Sequence, residues 1–268
     1  MQDPTARVDE VSISRLIVES FAADFVDSLE LDVAIAGAGP SGVTAARLLA
    51  KQGLKVAVFE RHLHVGGGMW GGGMLLPRIV IQEEAKYLLE EVGVNLKPWK
   101  EGVYAADSVE TVAKCTAAAI DAGVRIWVGM KVEDVVIREN DRVAGVVINW
   151  EAVSIAGLHV DPLALMAKVV IDATGHDSVV CRNVVRKIPG AELVSPNKAV
   201  PGERPMWAEK GEAALVPNTI EVYPGLIVTG MAANALSAQP RMGAVFGGMF
   251  LSGQRAAELA AELVAKQG

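Results

Sequence analysis

Cysteine is scarce in this chain of 268 residues. Only Cys115 and Cys181 occur, with no CxxC pair, which argues against a disulfide framework and a structural zinc site. Basic runs are missing and the formal net charge is −7, so no nucleic-acid partner is expected. Long apolar runs are missing too. The charge-free stretch 222–240 is broken by Pro224, Asn234, Gln239 and Pro240, which suit lipid poorly, and no membrane span is expected. The opening Gln2-Asp3-Pro4, followed by Asp9 and Glu10, does not compose a secretory leader. These absences point to a cytoplasmic protein. What is plentiful is apolar residues, 51% of the chain, which suits a homo-oligomer that buries more apolar surface than a monomer can.

The length fits a single α/β domain over 1–268. Apolar residues at helical spacing (Ile13, Leu16, Ile17, Phe21, Phe25) predict an N-terminal helix within 1–30, with Ser12 as its N-cap. A strand–helix–strand unit follows within 31–80. Leu31–Ala36 is a short apolar strand, Ser41–Gln52 a helix ended by Gly53, and Lys55–Glu60 a second buried strand. Helices are expected at Gln82–Val92 and Ser108–Ala122. Strands at Val124–Val128, Lys131–Arg138 and Val143–Asn149 predict a β-hairpin insertion over 124–150, turning at Asn140-Asp141. Lys168–Ala173 and Gly225–Gly230 are further apolar strands. The stretch 186–219 reads as an irregular excursion, unusual in a compact domain unless it serves a site or an interface. A glycine-punctuated segment from Arg241 then enters a C-terminal helix, Gln254–Lys266, within 241–268. The fold class is therefore α/β: a Rossmann-like FAD/NAD-binding fold, a parallel sheet with helices on both faces, plus an antiparallel sub-region.

The turn Gly37-Ala38-Gly39-Pro40-Ser41-Gly42 lies between that first strand and helix. A turn without side chains lets backbone N–H groups approach a pyrophosphate, and the following helix offers its positive end. Gly37 suits the tight turn, Gly39 the close approach and Gly42 the packing of helix on strand. Glu60 ends the second strand 21 residues after Gly39, where an acid accepts hydrogen bonds from ribose hydroxyls. The acid favours NAD or FAD over NADP, with Arg61 beside it pulling slightly the other way. A second glycine cluster, six glycines within 66–73, is read as a second backbone contact with the dinucleotide or as a flexible lid.

Four histidines occur: His62, His64, His159 and His176. His62 and His64 are most simply solvated. His176 follows a strand at its C-terminal edge, where open α/β sheets bind ligands. An imidazole and a carboxylate there would suit a divalent transition metal, but on spacing alone structural partners are the better reading.

Five blocks narrow the choice: Ala36–Gly42, Gly66–Met74, Gly157-Leu158-His159-Val160-Asp161-Pro162, Thr174-Gly175-His176-Asp177 and Pro240-Arg241-Met242-Gly243. In this order the sequence closely resembles the thiamine thiazole synthase family, from about residue 12 to 264. The resemblance implies an enzyme that consumes NAD as co-substrate. NAD would lose nicotinamide, the ADP-ribose portion would open and isomerise to a ketose, condense with glycine and take up sulfur, giving an ADP-thiazole carboxylate. By position, Gly37, Gly39, Ser41, Gly42, Glu60, Arg61, Gly68, Val132, Met231, and His159 with Val160, would line the nucleotide site. Arg241 would pair with the glycine carboxylate. Asp161 and His176 would hold Fe(II), contributed by two neighbouring subunits of a homo-oligomer, an octamer by the same resemblance; His159, Asp161 and His176 would form the catalytic group. Members that donate their own sulfur carry a cysteine where this chain has His159, so the resemblance implies the class that uses free sulfide. Left open on the residues alone are an FAD-dependent oxidoreductase, which Thr229-Gly230-Met231 would also fit, an isomerase of ADP-ribose or a phosphosugar, and a nucleotide-binding module without catalysis.

Overall fold

The computed structural model describes residues 8–267. It opens with α1 (Glu10–Asp27). The cap of α1 is Asp9, not Ser12: its carboxylate accepts from the N–H groups of Val11 and Ser12 at 2.9 and 3.0 Å. An ionised acceptor at the positive end of a helix outcompetes a hydroxyl one turn further in. The Ser12 hydroxyl donates to that same carboxylate instead, at 2.7 Å. None of the residues of α1 is buried.

The strand–helix–strand unit is β1 (Glu30–Ala36), α2 (Pro40–Ala50) and β2 (Val56–Glu60). Next come β3 (Arg78–Gln82), α3 (Glu83–Glu90), β4 (Leu96–Lys100), β5 (Val103–Asp107), α4 (Ser108–Asp121) and β6 (Arg125–Val128). β7 (Met130–Ile137) and β8 (Val143–Trp150) form the hairpin, and α5 (Glu151–Ile155) leads towards β9 (Leu163–Asp172). The chain closes through α6 (Val179–Lys187), α7 (Ala208–Leu215), β10 (Glu221–Tyr223), β11 (Leu226–Val228), α8 (Met231–Leu236) and α9 (Gly247–Ala265).

The main sheet has the order β10-β11-β9-β1-β2-β6, parallel throughout except for β10. Side chains on β1 alternate between two cores, as the two-residue strand period requires. Val33 and Ile35 pack with α2, α4 and α9, through residues such as Val43, Leu49, Val112 and Phe250. Ala34 and Ala36 face Val132, Val146 and Ile148 of the hairpin and Val180 and Val184 of α6. The mixed α/β fold with a mainly parallel sheet is thus as expected, with helices on both faces and the hairpin covering part of one.

Several boundaries differ from the sequence reading. The segment 124–150 is not all hairpin. β6 belongs to the parallel sheet beside β2, and the backbone turns away at Gly129 (φ 73°) before β7 begins. An antiparallel sheet of order β3-β5-β4 was not expected. β4 carries Pro98 and two lysines and is largely exposed, so no apolar alternation marks it. β9 starts at Leu163, five residues before Lys168, because β8 pairs with its early part. The excursion 186–219 contains α7, and α9 begins at Gly247. There, Gly247 and Gly248 leave room for Gln82 and Glu212, whose side chains a Cβ would meet at 2.1 and 2.8 Å. Glycines read as breakers are here close-packing residues.

Candidate active site

Each glycine of the first turn has a different reason to be glycine. Gly37 has φ 99°, and a Cβ there would lie 2.5 Å from the Ala173 carbonyl oxygen. At Gly42 a Cβ would strike the Gly37 carbonyl oxygen at 2.2 Å, so helix and turn pack backbone to backbone. At Gly39 a Cβ would meet nothing within 4 Å, and φ is an ordinary −71°. The fold has no use for its missing side chain, which leaves the backbone at the N-terminus of α2 open to approach.

The second glycine cluster folds onto the first. Gly66 donates to the Ala38 carbonyl at 2.8 Å, and a Cβ on Gly67 would sit 3.3 Å from the Gly39 Cα. Gly68, like Gly39, has open space where a side chain would be. Glu60 is buried and braces this arrangement. Its Oε2 accepts from the Ala38 N–H at 2.9 Å, and its Oε1 from the His62 N–H at 2.9 Å. His62 Nδ1 also lies 2.9 Å from Oε1, so it is Oε2 that retains lone-pair capacity for a further donor.

These elements surround a cavity of about 740 Å³. It is lined by Gly37, Gly39, Ser41, Glu60, Arg61 and Gly68, and also by Val132, His176, Met231 and Arg241. Ten residues named from the sequence thus meet in one place. Gly42 lies buried behind the turn. His62 and His64 are exposed as expected and stand at the rim of the same cavity, with their rings stacked at 5.1 Å.

His176 is positioned from the end of β9. Asp172 is fully buried; its Oδ1 accepts from the N–H and hydroxyl of Thr174 at 3.0 and 2.6 Å, and its Oδ2 from the Cys181 N–H at 2.9 Å. That ties down both sides of the one-turn helix Gly175–Asp177. The His176 ring is half exposed, and its Nδ1 contacts Oε1 of Glu203. The other oxygen of Glu203 lies 3.7 Å from Arg241 Nε. Glu203 was not singled out from the sequence, since it stands 27 residues from His176 and no spacing links them.

His159, Val160 and Asp161 are not in the cavity. They sit on an exposed loop before β9, and ten residues of extended strand separate that loop from the His176 end, further than two side chains can reach. Among the described residues no group of three or more His, Cys, Asp or Glu is assembled for a metal. The loop is apolar as well as acidic: Ile155, Leu158, Val160 and Leu163 are all exposed.

Comparison with known proteins matches residues 14–246 to the Thi4 family. A thiamine thiazole synthase of Methanothrix thermoacetophila is 54% identical over 259 residues, which is 97% of this chain and 98% of that one. The chain belongs to the Thi4 family. Another thiamine thiazole synthase, from Pyrococcus horikoshii, is 52% identical over 93% of this chain and 96% of its own. The crystal structure of Thermovibrio ammonificans THI4 superposes with a TM-score of 0.91 at 46% identity, covering 97% of this chain and 99% of that one. The Thi4 family therefore spans nearly the whole fold, including the excursion that carries Glu203.

Neither thiol of this Thi4 chain is poised for chemistry. Both cysteines are free and buried. Burial pushes the Cys115 thiol up to about 12. Cys181 is raised well above the usual thiol range by burial, with the neighbouring Asp172 carboxylate adding to it. Both stay protonated at neutral pH, and a protonated thiol is a poor nucleophile. No helix among the described residues is long and apolar enough to cross a membrane.

Proposed function

We propose that this chain is the sulfide-using kind of thiazole synthase, converting NAD, glycine and sulfide to an ADP-thiazole carboxylate with release of nicotinamide. The observation that carries this reading is one cavity lined by a dinucleotide cradle, by His176 and by Arg241 together. The open positions at Gly39 and Gly68 fit a pyrophosphate approaching the backbone at the start of α2. Glu60 and Arg61 hold the ADP-ribose portion, and Val132 and Met231 give its base an apolar wall. Arg241, with an exposed guanidinium, offers a planar pair of donors to the glycine carboxylate.

The donor set also fits a ferrous ion, since imidazole and carboxylate suit divalent first-row metals. His176 supplies the nitrogen ligand from one subunit and Asp161 the oxygen ligand from another. When bound, the iron supplies Lewis acidity at the sugar carbonyl and a site for sulfide. Two observations support sharing between copies: the exposed apolar loop that carries Asp161, and the bare face of α1, on which Leu16 and Ile17 are 68% and 61% exposed. A homo-oligomer would cover both, an octamer by family resemblance. His159 enters with that loop, either as a further imidazole ligand or as a proton carrier. The buried, protonated thiols support external sulfide over a protein donor, and their reduced state suits a cytoplasmic location.

Anaerobic incubation of the purified protein with NAD, glycine, sulfide and Fe(II), followed by mass analysis, tests this directly. Several thiazole products per subunit are expected. One product per subunit at most, with a cysteine converted to dehydroalanine, would count against it. A yellow protein with bound flavin and no product would favour the oxidoreductase.

A further inference from the structure

Glu203 is the carboxylate that this functional reading leaves without a task. Its side chain is only 12% exposed, and it does not line the cavity. It sits behind two residues that do. Oε1 contacts His176 Nδ1 and Oε2 lies 3.7 Å from Arg241 Nε. Oε1 is buried and makes no hydrogen bond of regular geometry among the described residues; His176 Nδ1 is the charged or ionisable group in contact with it.

Its backbone is fixed on both sides. The Gly202 N–H donates to the Ala235 carbonyl at 3.0 Å and the Arg204 N–H to the Gln239 carbonyl at 3.0 Å. In return, the Arg241 N–H donates to the Arg204 carbonyl at 3.2 Å, and Trp207 to that of Arg241 at 3.0 Å. Segment 202–207 and the Arg241 segment are therefore stitched together backbone to backbone, which keeps the carboxylate within reach of the guanidinium. A buried carboxylate placed between an imidazole and a guanidinium has a consequence at each.

We propose that Glu203 is a positioning residue, resting on the reading above, which sets His176 for the metal and Arg241 for the substrate carboxylate at the same time. At His176 the carboxylate accepts the Nδ1 proton, which fixes the tautomer and leaves the Nε2 lone pair as the ligand. At Arg241 it engages the Nε side, which leaves the terminal pair of nitrogens for a bidentate carboxylate. One side chain thus links metal binding to recognition of the amino-acid substrate.

The test is Glu203→Gln in the full-length, assembled protein, because an amide keeps the size and removes the charge. Loss of such an outer partner typically costs about 10- to 100-fold in metal affinity, and that fall is expected for Fe(II) titrated anaerobically. The KM for glycine should rise as well, while NAD affinity and Tm stay near wild type. In a His176→Ala background, Glu203→Gln should change Fe(II) binding no further. Unchanged Fe(II) affinity and glycine KM would overturn the proposal, as would a parallel fall in NAD affinity and Tm, which marks a merely structural role. A separate readout needs neither iron nor turnover. In 15N-histidine-labelled, metal-free protein His176 should carry its proton on Nδ1 in the wild type and lose that preference in the variant. An identical His176 signal in both would sink the inference. A wild type that takes up no iron would instead sink the functional reading.

Discussion

At its C-terminal end β9 is walled in by β1 and β11, and Val169 to Asp172 are buried. At its N-terminal end Leu163 and Ala164 are exposed, and so is all of 156–162 before them. One end is built from backbone hydrogen bonds, a buried aspartate and glycines that touch each other. The other presents His159 and Asp161 among bare apolar side chains. The difference separates two kinds of functional residue. The glycine cradle is assembled by the folding of one chain, whereas on the proposed function the other half of the site would be completed by a second copy.

The strongest way to break this comparison is complementation. Asp161→Ala and His176→Ala should each be inactive alone. Mixed and reassembled in equal amounts, they should regain about a quarter of wild-type sites if each site takes one residue from each of two copies. No recovery in an activity assay would mean that both residues act within one chain.

Next in size is Glu60→Lys, which puts a cation where the Ala38 and His62 N–H groups donate. NAD binding should disappear in calorimetry, and its survival would remove Glu60 from the cradle. The two glycines of the turn give a sharper contrast. Gly42→Ala drives a methyl into the Gly37 carbonyl and should cost about 1–3 kcal/mol of stability, as overpacking does. Gly39→Ala should leave Tm almost unchanged yet weaken NAD, and a loss of stability without a loss of affinity would reverse that assignment.

A smaller effect is expected for the double variant Cys115→Ala/Cys181→Ala. Turnover with sulfide should persist, since neither buried thiol is ionised. The smallest concerns Glu91, which braces α2 through Lys51 and Arg47. The Lys51 hydrogen bond first, and then Arg47, hold its carboxyl below the ordinary value of 4.5, against an opposing effect of burial. Such a group stabilises the fold above its unfolded-state value, and the contribution is lost as pH falls through the lowered one. Acid unfolding should therefore separate wild type from Glu91→Gln, by less than about 1 kcal/mol for so exposed a pair.

The cradle was legible in the sequence because its causes are local. Gly37, Gly39, Gly42 and Glu60 lie within one strand–helix–strand unit, and their spacing follows from its geometry. β4 was not legible, since a strand with Pro98 and exposed lysines carries no alternation. Glu203 was invisible for another reason. Its partners are made by the pairing of Arg204 with Pro240, a tertiary event that leaves no periodic trace. His62 and His64 are exposed on a loop beside the cavity, as read; the closure of the following glycine cluster onto the first turn left no trace in the sequence, because a flexible-looking loop gives no hint of it.

The exposed loop at the start of β9 also makes dilution a variable. Subunits that share a site by mass action lose it as concentration falls, while a cradle formed within one chain does not. On the proposed arrangement, a dilute sample would still hold its nucleotide after its iron has gone, so specific activity should depend on protein concentration over a range where NAD binding does not.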